Sequence, residues 1–442
     1  TDVVWNFQRL TEFAKQNLSS HAEMWQDTNG TPLLTQIEAI GEHTVKMTLT
    51  EPVPHWEKLL AFWGAVLIQP IPNLFGAVPI SQIASINGTG PFRYSHFDPG
   101  IDKHVQLLDN LQYFRGEPDF RTLFFRVFSD QEEMEVALLN KEIHLTSFSS
   151  SDLFSIAESD SRITTTQVST SDVYFVTMHH DNLPFAVRKA MPLAVNYSVF
   201  DTPLSLTAHK SPLPQDMPWA GASEIPNLPT YNLDQARAAL FSSSDPTLVS
   251  NLAYHNLTTA NTTDQWVAVA QSERPIITAN FSHSNPEFFT IFANCAARIG
   301  ILLQNDYWED SKQMKLYLTN PESSSHVQFG LGLLHPLYVD GTAMFTPLLA
   351  SSGDYNWHGY SNSNLDNHLQ ALTALSDSDF EKGGLIRELS TAMIETHALL
   401  FYFAAPVHSF AMVIGDEGLL NAASFSTSFR DYHTTNYFYL VD

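Results

Sequence analysis

Val45, Met47 and Leu49 alternate with Lys46, Thr48 and Thr50, the period-two pattern of a strand buried on one face. With the residues from Ile37 onward they predict a hairpin turning at Gly41-Glu42-His43 and broken afterwards by Pro52 and Pro54. Upstream, Val3, Val4, Phe7, Leu10 and Phe13 fall on one face of a helix over 2–15, with Asp2 as its N-cap. An aromatic-rich helix covers 55–67 and a proline-punctuated loop follows. Gly88 and Gly90 open a strand over 92–96, and Val105, Leu107 and the run 124–128 supply two more.

The alternation then changes character. A helix over 132–139 leads through NKEIHL into a strand, the serine-rich 147–161 holds a short helix, DVYFVTM over 172–178 is a buried strand, and 185–195 is a helix. Pro212, Pro214, Pro218, Pro226 and Pro229 make 211–229 a loop. Further helices are predicted over 232–241, 287–299, 365–375 and 381–397, and strands over 301–303, 327–334 and from 399. Gly300 stands where a helix C-terminus wants a glycine. Helices interleaved with strands imply an α/β protein.

Length changes the picture once. A single core stops growing at roughly 250–300 residues, so this 442-residue chain is expected to form two or more lobes. The net charge of −25 comes from scarce bases, 22 Lys plus Arg against 47 Asp plus Glu, and a field of that sign disfavours nucleic acid. The lone cysteine, Cys295, excludes an internal disulfide and reads as a small hydrophobe inside its helix. No apolar run approaches the ~18 residues of a membrane-spanning helix.

Eighteen histidines call for a metal test. His179 and His180 are neighbours on a strand end and point to opposite faces, while His335, His358, His397 and His408 are scattered; HExxH and CxxC spacings are absent. GxSxG, GxGxxG and P-loop patterns are absent too, so no enzyme, no metal site and no cofactor are expected.

One ordered series of segments carries a resemblance. It comprises DVVWNFQRL, HTVKMTLTEPVPHWEKLLA, NGTGPFRY, DNLQYFRGEP, EVALLNKEIHL, YFVTM followed by VRKAMPLAVN, YNLDQARAALF, FANCAARIGI and WHGYSNSNLDNHL. In that order they resemble the anchors of the bacterial extracellular solute-binding proteins of family 5, the oligopeptide-, dipeptide- and nickel-binding components of ABC transporters. The resemblance covers nearly the whole chain. The strand-rich segment that opens the family's first lobe has no counterpart, which implies a missing N-terminal part; no signal sequence is read at the start.

The resemblance implies a two-lobed, periplasmic-binding-protein-like α/β fold of the large three-subdomain type, with a ligand cleft between the lobes. Residues 1–86 would be the remainder of the extra subdomain of lobe I, 87–205 the core of lobe I, 206–414 lobe II and 415–442 the return to lobe I. The implied function is capture of an oligopeptide or similar small solute and its delivery to membrane permease subunits, by a monomer outside the cytoplasm. Candidate ligand contacts are Tyr338 and Asp340 in HPLYVDGTAMFTPLL, Tyr355 and Trp357 before the GYSN turn, His179 on the strand end and Trp219 in the proline-rich loop. Leu337 stands where peptide-binding members carry an amine-binding aspartate. Asp340 is close enough to substitute, or else forms a surface Asp-Gly turn. An alternative is the sensor domain of a transcriptional regulator, because SFRDYHTTNYFYL resembles the closing run of such domains. Binding of a metal complex or an oligosaccharide is the other alternative.

Overall fold

The computed structural model describes residues 2–16, 25, 31–54, 56–61, 65, 67–70, 87–100, 103–118, 120–202, 206–214, 217, 219, 228–320, 327–336, 340–376 and 379–414. The chain forms two compact units, one from Thr1–Thr170 with Val407–Asp442 and one from Ser171–Pro406. They part at 170/171 and 406/407, whereas the sequence-based lobes part at 205/206 and 414/415.

The first unit contains α1 (Asp2–Gln16), β1 (Leu34–Ala39), β2 (Val45–Leu49), α2 (Trp56–Ala61), β3 (Phe92–Asp98), β4 (His104–Asp109), β5 (Thr122–Arg126), α3 (Gln131–Leu139), β6 (Leu145–Phe148), α4 (Ser151–Ser159) and β7 (Ile163–Ser169). β1 and β2 form the hairpin that the alternation predicts, and β3, β4 and β5 form an antiparallel three-stranded sheet. Asp130 caps α3 by accepting the Glu133 N–H, and Ser150 caps α4 through the Leu153 N–H. Glu135 is buried in α3, where its carboxylate accepts the Ser149 N–H at 2.6 Å and the Ser149 hydroxyl at 2.9 Å. It thereby fixes the turn from β6 into α4.

The second unit contains β8 (Val173–Met178), α5 (Phe185–Ala194), β9 (Leu206–Ala208), α6 (Leu233–Phe241), α7 (Pro246–Tyr254), α8 (Thr263–Ala270), β10 (Ile277–His283), α9 (Pro286–Ala297), β11 (Ile301–Tyr307), α10 (Ser311–Thr319), β12 (Phe329–Leu334), α11 (Gly341–Leu349), α12 (Ser363–Thr373), α13 (Phe380–Thr391) and the π-turn Ala392–Thr396. The last strand, β13 (Leu400–Val413), pairs with β8 and β9 through residue 406 and with β6 and β7 from 407 onward. Within the second unit the strand order is β11, β10, β12, β8, β13, with β9 also on β13. β10 is parallel to both β11 and β12, and β8 is antiparallel to β12 and β13.

Side-chain alternation divides this core into two layers. Val176, Met178, Phe401 and Phe403 pack on one face with residues of α5 to α9. Val173, Phe175, Leu400 and Tyr402 pack on the other with residues of α10 to α13. The second unit is therefore an α/β/α sandwich. Gly300 ends α9 at φ +76°, and a Cβ there would lie 2.6 Å from Ile276 Cγ1, so only glycine fits. Cys295 is buried in α9 and its thiol is pushed up in pKa by burial, the behaviour of a packed hydrophobe.

Two expectations differ. The stretch read as a cleft loop after β12 contains α11, which begins at Gly341. The single helix predicted over 381–397 stops at Thr391 and passes into the π-turn.

Candidate functional site

In open α/β sheets, ligands bind outside the carboxyl ends of parallel strands, where the strand order reverses. In the second unit, β11 lies on one side of β10 and β12 on the other, so the reversal falls between β10 and β12. Phe281 pairs with Phe329 and Ser282 with Gly330, so β10 ends beside the start of β12, while β12 continues along β8.

At the end of β10, His283 is buried. Its Nε2 is 2.7 Å from Asn305 Oδ1, and its ring stacks on Phe289 at 4.9 Å and 8°. Burial lowers its pKa, so it stays neutral. Ser282 donates its hydroxyl to the Asp306 carboxylate, and Trp308, just past β11, lies on Tyr317. These groups brace the strand ends.

At the end of β12 the chemistry changes. His335 Nδ1–H donates to Asp172 Oδ1 at 2.5 Å. Asp172 is 1% exposed and His335 29% exposed. The β8–β12 register dictates the pair: Val173 faces Leu334, so the flanking residues 172 and 335 are also opposed. A buried carboxylate is tolerated only when paired and hydrogen-bonded. Here one partner is an imidazole that is itself partly exposed. Sequence reading did not pair the two, because both flank strands and only the cross-strand register relates them.

The six residues singled out from the sequence fall as follows. Tyr338 lies outside the described residues. Asp340 is no surface turn: it caps α11 by accepting the Thr342 N–H at 2.8 Å, and its carboxylate is 2.9 Å from Lys382 Nζ. Trp357 is buried against Phe175, ring centroids 5.8 Å apart, with its Nε1–H donated to the Asp354 carbonyl. Tyr355 packs beside it at 5.2 Å, half-buried, with Lys315 Nζ 4.3 Å from its ring centroid. Trp219, at φ +69°, lies on Gly383 in the first turn of α13 and meets Phe380 edge-on. His179 is at the end of β8 remote from Asp172, nearly buried, packed on Gly359. The structure thus brings Tyr355 and Trp357 together, and sets Asp340 and Trp219 on the same turn of α13. His179 belongs to the opposite end of the sheet from His335. Among the described residues no group of three or more His, Cys, Asp or Glu is arranged to hold a metal ion.

The mixed, helix-flanked sheet, with its strand reversal between β10 and β12, is that of the periplasmic-binding-protein-like class of solute-binding folds. Residues 1–273 match the family described as bacterial extracellular solute-binding proteins, family 5 Middle, and the chain belongs to the bacterial extracellular solute-binding proteins of family 5. The family is one of binding proteins rather than enzymes. None of the curated protein sequences compared with the chain matches it. Solved structures share the fold. The ABC transporter substrate binding protein CtaP from Listeria monocytogenes is 18% identical with a TM-score of 0.71, and the match covers 93% of this chain and 78% of that one. A dipeptide binding protein from Pseudoalteromonas, in complex with Met-Leu, is 16% identical with a TM-score of 0.66, covering 93% and 78%. NikA from Staphylococcus aureus, in complex with Ni(L-His)2, is 14% identical with a TM-score of 0.62, covering 93% and 82%. No helix among the described residues is long and apolar enough to cross a membrane.

Proposed function

We propose that the chain captures an oligopeptide or similar small solute outside the cytoplasm and delivers it to the permease subunits of an ABC transporter. Membership of family 5 supports the solute-binding role, and the Met-Leu complex of the Pseudoalteromonas relative supports a peptide-sized cargo. The observation that supports this reading is the carboxyl end of β12, one of the two strands that flank the reversal, where a partly exposed His335 is held by a buried Asp172. Tyr338 and Asp340 follow on the same connection, and Asp340 acts there by fixing α11 through its cap and its bond to Lys382. Ligand sites of this kind combine apolar walls with a few placed polar groups, and Tyr355 and Trp219 are the half-buried aromatics proposed for the walls.

Native mass spectrometry of the protein purified without denaturation tests the proposal. A bound mass in the di- to oligopeptide range is expected, with calorimetric binding of the same compound to protein stripped by reversible unfolding. Absence of any carried mass, together with no heat from a panel of di- to pentapeptides, would remove the peptide reading. Turnover of a substrate would remove the binding-protein reading as a whole.

A further inference from the structure

At the end of the second unit's sheet opposite His335, four imidazoles gather around one loop. His358 is fully buried and both of its ring nitrogens are engaged: Nε2–H donates to the Leu348 carbonyl at 2.8 Å, and Nδ1 accepts the Tyr360 N–H at 3.2 Å. The Leu348 carbonyl belongs to the last turn of α11, where helix carbonyls lack partners within the helix. The His358 carbonyl in turn accepts the His180 N–H at 2.7 Å. His179 Nδ1 accepts two backbone N–H groups, from Asp181 and Asn182, at 3.3 Å each. Its Nε2 edge lies against Gly359, where a Cβ would be only 3.0 Å away. Tyr360 is sandwiched between the rings of His180 and His397, at 4.7 and 4.5 Å.

Two of these rings therefore work only as neutral tautomers with an acceptor at Nδ1. A proton on Nδ1 of His358 would set N–H against the Tyr360 N–H, and a proton on Nδ1 of His179 would do the same against two donors. The charges facing the loop reinforce this. Arg188 of α5 donates to the carbonyls of Leu183, His397 and Ala398, and Lys189 donates to the Glu395 carbonyl of the π-turn. Against these cations stands Asp181, 2.8 Å from His180 Nδ1, and Glu395 is the acid of the π-turn whose carbonyl Lys189 reaches.

We propose that His358 and His179 form an acid-released latch, which fastens the 358–360 segment to the ends of α11 and β8 at neutral pH and lets it go when the surroundings acidify. Burial, the neighbouring histidines and Arg188 hold the His358 pKa down to about 3, and burial foremost also lowers that of His179. The folded-state value lies below that of an exposed histidine, about 6.5, so the open form binds more protons. The latch is whole above that value and weakens as pH falls through it. His358 alone gives an increase of about 50-fold in the opening equilibrium between pH 6.5 and 4.5.

Hydrogen exchange by NMR on the full chain, corrected for intrinsic rates, reads this at the amides the latch holds. Tyr360, Asp181 and Asn182 should lose protection by that factor over those two pH units while amides of β10 and β11 keep theirs. A pH-independent Tyr360 amide, or a uniform loss across the second unit, would overturn the proposal. His358→Asn retains an Oδ1 acceptor that no proton can occupy, so its Tyr360 protection should keep only the shallower pH dependence that His179 supplies, and that of His358→Asn with His179→Asn should be flat with pH even if lower throughout. If that variant does not fold, the His358 ring of the unaltered protein decides: titration below pH 4 supports the latch, and titration near pH 6.5 excludes it.

Discussion

Lys382 Nζ lies 2.9 Å from one Asp340 oxygen and 3.1 Å from the other, with both side chains 1% exposed. The pair ties the first residue of α11's cap to the first turn of α13. Breaking such a pair strands a charge in the core, which costs about 3–5 kcal/mol. Lys382→Met should lose stability on that scale in urea unfolding. Asp340→Asn keeps the cap and removes the charge, so adding it to Lys382→Met should recover part of the loss. A double variant at the sum of the two single losses would show that the ions do not interact.

Gly332 faces Phe175 across the β8–β12 ladder, and a Cβ at residue 332 would fall 2.3 Å from Phe175 Cζ. Phe175 in turn packs on Trp357 and Tyr355. Gly332→Ala should therefore overpack this layer, at a cost of about 1–3 kcal/mol, and change the near-ultraviolet circular dichroism of the buried tryptophan. Phe175→Leu in the same chain should restore much of the stability. Failure of that second change to help would mean the strain is relieved elsewhere.

The elements with strong periodicity were legible in the sequence: α1, the β1–β2 hairpin, β8, α5 and α9 all form where hydropathy puts them. The elements that were not legible have weak apolar patterning. β7 reads ITTTQVS, and α7 and α8 sit in a serine-, threonine- and asparagine-rich stretch where the caps Asp245 and Thr262 start them. α11 carries Pro347 and opens on Asp-Gly, so local chemistry suggested a turn, yet its apolar residues are held by the packing of the second layer. Side-chain burial was no more legible. Trp357 and Asp340 stand in segments that read as loops, and tertiary packing buries them. Asp172 and His335 carry no local signal, since their meeting depends on strand register.

Trp219 depends on a glycine. A Cβ at residue 383 would sit 2.6 Å from Trp219 Cε3, so Gly383→Ala must push the indole off α13. The expected outcome is a red-shifted contribution to tryptophan fluorescence, absent in a Trp219→Phe background. If Trp219 is a wall of the solute site, the same change should weaken binding of the purified cargo several-fold. Unchanged affinity with a displaced indole would assign Trp219 to packing alone.

The His335–Asp172 pair yields the most direct test of the proposed site. Asp172 fixes the ring by accepting a hydrogen bond from Nδ1–H, and the proposed solute contact is made by the rest of the imidazole. His335→Ala removes that contact and leaves the Asp172 carboxylate buried without its imidazole, whereas His335→Asn supplies a side-chain amide donor in place of Nδ1–H but not the rest of the ring. Stability should fall in His335→Ala and recover in His335→Asn, since an unsatisfied buried acceptor costs about 1–3 kcal/mol. Affinity for the cargo found by mass spectrometry should fall in both, by about tenfold for a lost hydrogen bond of some 1.4 kcal/mol. Recovery of stability without recovery of affinity is the signature of a solute contact. If affinity returns along with stability, the pair is a clamp between β8 and β12, and the solute is read by other residues at the carboxyl end of the sheet.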